Sequence, residues 1–111
     1  MDRLAQYRTY IQDILNEYSQ YKPAYGDVEL ETIYDITNDH YQLLSVGWNK
    51  HQRIHGTILH VDIRNNKIWV QYDGTEEGIA NRLMELGVPP EDIVIGFHPP
   101  YQRQYTRFSV G

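Results

Sequence analysis

Three carboxylates, Asp73, Glu76 and Glu77, crowd the stretch "YDGTEEG" at residues 72–78. Clustered carboxylates can perform general acid–base catalysis, but two of them must converge on one substrate at a defined separation. Read as the first turn of a helix, Glu76 and Glu77 diverge by about 100° around its axis. In that position each stabilises the positive end of the helix dipole by roughly 0.3–1 kcal/mol. Asp73 then ends the preceding strand. The cluster also lacks the Asp…Glu-x-Lys arrangement of a Mg²⁺-dependent nuclease, and no catalytic residue is assigned to it.

The histidines are His40, His51, His55, His60 and His98. A structural zinc site needs four convergent ligands. His55 and His60 stand five apart in one strand-like run, and an odd separation sends them to opposite faces unless a bulge lies between them. His51 and His55 can share a face, but without HExxH or a comparable spacing. No metal or cofactor is therefore expected, and the histidines read as hydrogen-bonded or solvated residues of a sheet. An enzyme would have to assemble His55, His60 and Asp73 across neighbouring strands. Other chemistry is missing: there is no Cys, none of the three serines lies in G-x-S-x-G, and the eight glycines form neither a P-loop nor G-x-G-x-x-G.

The elements that must position these residues follow from periodicity. Leu4, Tyr7, Ile11, Ile14, Leu15 and Tyr18 fall on one helical face, with Asp2 as N-cap and "KPAYGD" at 22–27 as the stop. From Asp27 the period becomes two. Val28, Leu30, Thr32 and Tyr34 alternate with Glu29, Glu31, Ile33 and Asp35, as in a one-sided strand. "HYQLLSVGW" (40–48), "RIHGTILHVDI" (53–63) and "KIWVQYD" (67–73) read as three further strands. Asn65-Asn66 suits a two-residue hairpin turn, and Gly56 suggests a bulge or a close backbone approach. Links this short favour an antiparallel meander. "GTEEGIANRLMELG" reads as a second helix with Thr75 as N-cap, Glu76 and Glu77 in its first turn, and Gly87 at its C-terminal end. A short apolar piece, "IVIGF" (93–97), precedes a proline-bounded tail. The expected fold is thus α+β: an N-terminal helix, a four-stranded antiparallel meander, a second helix and a short C-terminal extended segment, forming one domain over residues 1–111.

Bulk properties exclude several function classes. The 111-residue chain is 41% hydrophobic and 23% charged, long enough for one real core. No apolar run can span a bilayer and the N-terminus lacks a signal-like apolar region, so a cytoplasmic protein is expected. The net charge of −5 disfavours broad binding to nucleic acid. Its distribution is uneven: residues 27–39 hold five acids and no base, whereas 40–72 hold Lys50, Arg53, Arg64 and Lys67 against Asp62 alone. Ten tyrosines hint at a protein–protein surface. Trp48 and Trp69 are expected to be core or half-core residues.

Across nearly its whole length the sequence resembles the XisI family, the fdxN element excision controlling factors of cyanobacteria. The signatures are "HG" at 55–56, "KIWVQYDGTEEGIA" at 67–80 and "GVPPEDIVIGF" at 87–97. Asn66 departs from the family pattern, which usually reads Asn-Gly at this turn. The resemblance implies a non-enzymatic accessory factor in programmed DNA excision, beside a recombinase that supplies the chemistry and a companion, XisH. It carries no catalytic motif to transfer. The paired proteins are also similar to a small toxin–antitoxin or regulatory module. Candidate partner- or DNA-binding residues are Trp48, Arg53, His55, Arg64, Lys67, Trp69, Arg103 and Arg107. The leading expectation is contact with an XisH-like partner, with DNA or the recombinase engaged only indirectly. Direct DNA binding through Arg53, Arg64, Lys67 and Trp69 is the alternative. A homodimer through an exposed strand edge or the aromatic tail is a further expectation.

Overall fold

A computed structural model describes residues 2–23 and 26–111. Ala24 and Tyr25 of the expected stop segment lie outside the described residues. The first helix, α1 (Arg3–Ser19), begins where expected, with the Asp2 carboxylate accepting a hydrogen bond from Ala5 N–H at 2.9 Å. Its stripe buries Tyr7, Ile11, Ile14 and Leu15. Four strands follow: β1 (Asp27–Asp35), β2 (His40–Asn49), β3 (Gln52–Arg64) and β4 (Lys67–Asp73), each antiparallel to the next. Asn65 and Asn66 both adopt left-handed backbone, φ 53° and 63°, so the hairpin turn forms without the Asn-Gly pair.

The sheet departs from the expected four-stranded meander. A fifth strand, β5 (Ile93–Ile95), joins it parallel to β4, in the order β1-β2-β3-β4-β5. Residues 74–92, which include the helix α2 (Ile79–Glu85), give the chain the length that a parallel return requires. Ile93, Val94 and Ile95 are all buried, so this strand has no alternation to betray it. The chain then makes one short helical turn, α3 (Pro100–Arg103), and Ser109 bridges back to Val94 along the outer edge of β5.

One sheet face carries the core. Tyr41 and Leu43 of β2, Leu59 and Val61 of β3, and Ile68 and Val70 of β4 pack with the stripes of α1 and α2. Helix α2 ends as expected: Gly87, at φ 104°, donates to Met84 C=O, and Val88 donates to Leu83 C=O. Its beginning differs from expectation. Thr75 is not the N-cap, and Glu76 and Glu77 precede the helix in a loop, because Gly78 at φ 87° breaks the backbone path just before Ile79. Asp73 reaches forward instead. Its carboxylate accepts from Thr75 N–H and Ile79 N–H, both at 2.8 Å, and so satisfies the first donor of the helix.

Candidate functional site

The second face of the sheet lies away from α1 and α2, which pack on the core side. Strand register places on it Glu29, Glu31 and Ile33 of β1, Gln42, Leu44 and Val46 of β2, and the residues opposite them on β3 and β4. Two bulges decide what the middle of this face displays. Leu43 pairs with Leu59 but Leu44 pairs with Thr57, which leaves Ile58 as an extra residue in β3. Ile58 packs against the core, and the residues before it return to the open face. His55, opposite Val46, and His60, opposite Gln42, therefore share that face. This corrects the opposite-face assignment, and the bulge sits at Ile58 rather than at Gly56. The second bulge is Gln71 of β4, between the pairs Val61–Val70 and His60–Tyr72.

Beside the β1–β2 turn, His40 Nδ1 lies 2.8 Å and His60 Nε2 lies 2.9 Å from one oxygen of Asp62, Oδ1. Gln71 Nε2 donates to the other oxygen, Oδ2, at 3.1 Å. Asp62 is 4% exposed, the one buried charged residue among the described residues. Burial pushes its carboxyl up, but the hydrogen bonds from His40, Gln71 and His60 prevail and hold it below the usual carboxylate range. The hydrogen bond to Asp62, and then its charge, raise the His40 imidazole above its ordinary value. Beside this group, Arg8 of α1 grips Asp39 in a two-pronged ion pair at 2.8 and 3.1 Å, and Tyr41 donates to the same carboxylate. The core helix is thereby tied to the β1–β2 turn.

The candidate binding residues fall into separate groups. Trp48, expected in the core or half in it, is 51% exposed at one end of the face, with the Arg53 guanidinium 5.2 Å from its ring centre. Arg64 and Trp69 lie at the far end of the 13-residue β3 and its hairpin. Trp69 is sandwiched between Arg64 and Arg103, at 5.2 and 5.3 Å, and donates its indole N–H to Arg64 C=O. The tail fastens this end. Lys67 Nζ donates to Ser109 Oγ and Gly111 C=O, and Arg103 donates to the carbonyls of His98 and Gly96. Arg107 stands apart, 3.3 Å from the Met84 sulfur of α2. His55 is exposed on the open face. The structure thus brings Arg64, Lys67, Trp69 and Arg103 together around the tail, places Trp48 and Arg53 at the opposite end, and leaves Arg107 with neither group.

Two site members were missed from the sequence, Asp62 and His40. A signal existed for Asp62: it is a carboxylate within an apolar strand run, two residues from His60 on the same face. The pairing of His40 with Asp62 is set by hairpin register. The alternative trio of His55, His60 and Asp73 does not assemble. Asp73 pairs with Leu59, on the core side, and its two oxygens are occupied by Thr75 and Ile79.

Comparison with known proteins agrees with this architecture. The XisI protein family model matches residues 1–110. The crystal structure of a XisI-like protein from Anabaena variabilis ATCC 29413 superposes with a TM-score of 0.92 at 38% identity, over 98% of this chain and 100% of that one. The fdxN element excision controlling factor XisI from Anabaena variabilis ATCC 29413 superposes with a TM-score of 0.82 at 35% identity, over 99% and 100%. No curated protein sequence matches the chain. Whole-chain agreement in both sequence model and fold places the chain in the XisI family.

Proposed function

We propose that this chain is a non-enzymatic controlling factor of DNA excision, acting by docking the open face of its sheet against an XisH-like partner. One observation carries this reading. The sheet face turned away from α1 and α2 presents Trp48, 51% exposed, and Tyr72, 50% exposed, on either side of partly buried polar residues. Exposed aromatics above a rigid sheet are the residues that anchor protein interfaces. The solved relative described as an excision controlling factor supports the biological setting. Control of a toxin-like XisH partner would use the same contact.

Direct DNA binding has weaker support. Lys67 and Arg103 are hydrogen-bonded within the chain, and β1 brings Glu29 and Glu31 to the same face. Phosphate contacts need free cations. Co-expression with the XisH-like companion tests the proposal. A complex that survives purification and is weakened at least tenfold by combined Trp48→Ala and Tyr72→Ala is the expected result. Absence of a complex at micromolar concentration rejects it. A low-salt mobility shift abolished by Arg53→Ala and Arg64→Ala, without any partner complex, would favour DNA instead.

A further inference from the structure

Two imidazoles and a buried carboxylate meet on the open face beside the β1–β2 turn, on adjacent strands. His40 stands directly opposite Asp62 across the β2–β3 ladder, and His60 lies two residues before Asp62 on the same strand and face. The three candidate ligand atoms all lie within 4.8 Å of one another. We infer that His40, His60 and Asp62 form a binding site for a divalent transition metal, with Zn²⁺ as the ion best suited to two imidazole nitrogens and one carboxylate oxygen.

The geometry is close to that of a coordinated ion. Ligands about 2.0–2.2 Å from tetrahedral zinc stand roughly 3.3 Å from each other. The two imidazole nitrogens are 2.8 and 2.9 Å from Asp62 Oδ1, so each gap must open by only about half an ångström to admit the ion. Both ligand-bearing strands are central in the five-stranded sheet, and no loop has to be ordered. In the metal-free protein each imidazole directs an N–H towards the carboxylate. Metal binding moves that proton to the opposite ring nitrogen, and the freed lone pair becomes the ligand.

The surroundings suit a cation more than a simple hydrogen-bonded pair requires. Among the described residues no Lys or Arg forms an ion pair with Asp62, although its side chain is only 5% exposed. A buried carboxylate with that deficit gains from a divalent charge. Gln71 fixes the second carboxylate oxygen, as an outer-shell partner does in metal sites. The bulge in β4 places Gln71 there, and Gly96 leaves room for it: a Cβ at residue 96 would stand 2.7 Å from Gln71 Oε1. The side chains of His40 and His60 are 50% and 32% exposed, which gives an ion an approach from solvent and an open coordination position for water.

Calorimetric titration of the tag-free 111-residue chain with Zn²⁺ tests the site, with Co²⁺ as a spectroscopic probe of coordination number. Saturable one-to-one binding and the visible absorption of four-coordinate Co²⁺ are expected. His40→Ala and His60→Ala should each weaken binding at least tenfold, and Gln71→Ala by about tenfold. His55→Ala, on the same face but outside the cluster, should leave it unchanged. Both ligand histidines are partly exposed, so their variants should fold, and circular dichroism verifies this. Absence of saturable binding, or equal binding by the folded His40→Ala/His60→Ala double variant, would overturn the assignment and leave the trio as a hydrogen-bonded clamp.

Discussion

The two faces of this one sheet are built from the same strands and follow opposite rules. On the helix-covered face, Tyr41, Leu43, Leu59, Val61, Ile68 and Val70 are almost wholly buried and apolar. On the open face, the same strands alternate acids, aliphatics, histidines and two tryptophans, with Asp62 as a buried charge among them. The covered face gives stability through removal of apolar surface from water. The open face presents groups that can bind, several of them half-buried or exposed. The difference shows that alternation distributes two tasks between residues that are neighbours in sequence.

The sharpest way to break this contrast is to truncate one residue on each face. Leu59→Ala on the covered face should lower unfolding free energy by about 3 kcal/mol, within the usual range of about 2–5 for a fully buried leucine. Leu44→Ala on the open face should cost under about 1.5 kcal/mol, because its site is only half-buried. Urea denaturation compares them. Equal costs would mean that the open face is covered in solution.

Alkaline titration probes the covered face differently. Burial, and then the hydrogen bond to Asp92 and its charge, push the Tyr7 phenol up to about 12. A phenol in the unfolded chain titrates near pH 10. The protonated form is favoured by folding, so its contribution is intact below about pH 10 and is lost as the pH climbs through about 12. The loss should approach about 3 kcal/mol. Tyr7→Phe should flatten this part of the pH–stability profile, and an unchanged profile would refute the assignment. Tyr41, buried beside Asp39, is shifted in the same direction.

Asp73 tests the join between sheet and helix. Asp73→Ala removes the acceptor of Thr75 N–H and Ile79 N–H and should cost about 1–2 kcal/mol. Glu76→Ala and Glu77→Ala should each change stability by less than about 0.5 kcal/mol, since both side chains are exposed in the preceding loop. Comparable effects at all three positions would restore the helix-dipole role expected from sequence. The smallest effect is expected at Trp48. Trp48→Ala should leave the melting temperature within about 2 °C of the parent, as suits an exposed side chain.

How much of this was legible differs from element to element. The stripe of α1, the Asp2 cap, the Asn65-Asn66 turn, the Gly87 helix end and the strand spans rest on interactions within a few residues, and the sequence shows them. For the start of α2 the local pattern misleads, because "TEEG" resembles a capped first turn. The deciding acceptor, Asp73, lies six residues before Ile79, with the left-handed Gly78 between. Strand β5 reads in the sequence only as a short apolar piece, because three buried residues carry no alternation.

The candidate site shows the division most clearly. Residue type and local period determined by themselves that this chain makes an amphipathic helix and a hairpin-rich, one-sided sheet, and that it lacks a nucleophile motif. They also carried the signatures of the XisI family. Only the tertiary structure decided which histidines share a face, since an inserted residue such as Ile58 reverses the odd–even rule for everything beyond it. It also decided that His40 meets Asp62, that Gln71 turns to the same carboxylate, and that the tail occupies Lys67 and Arg103. Local conformation follows from short-range sterics and periodicity. Bulges, register and tail docking depend on hydrogen bonds to a partner strand far away in the chain, and no local pattern records them.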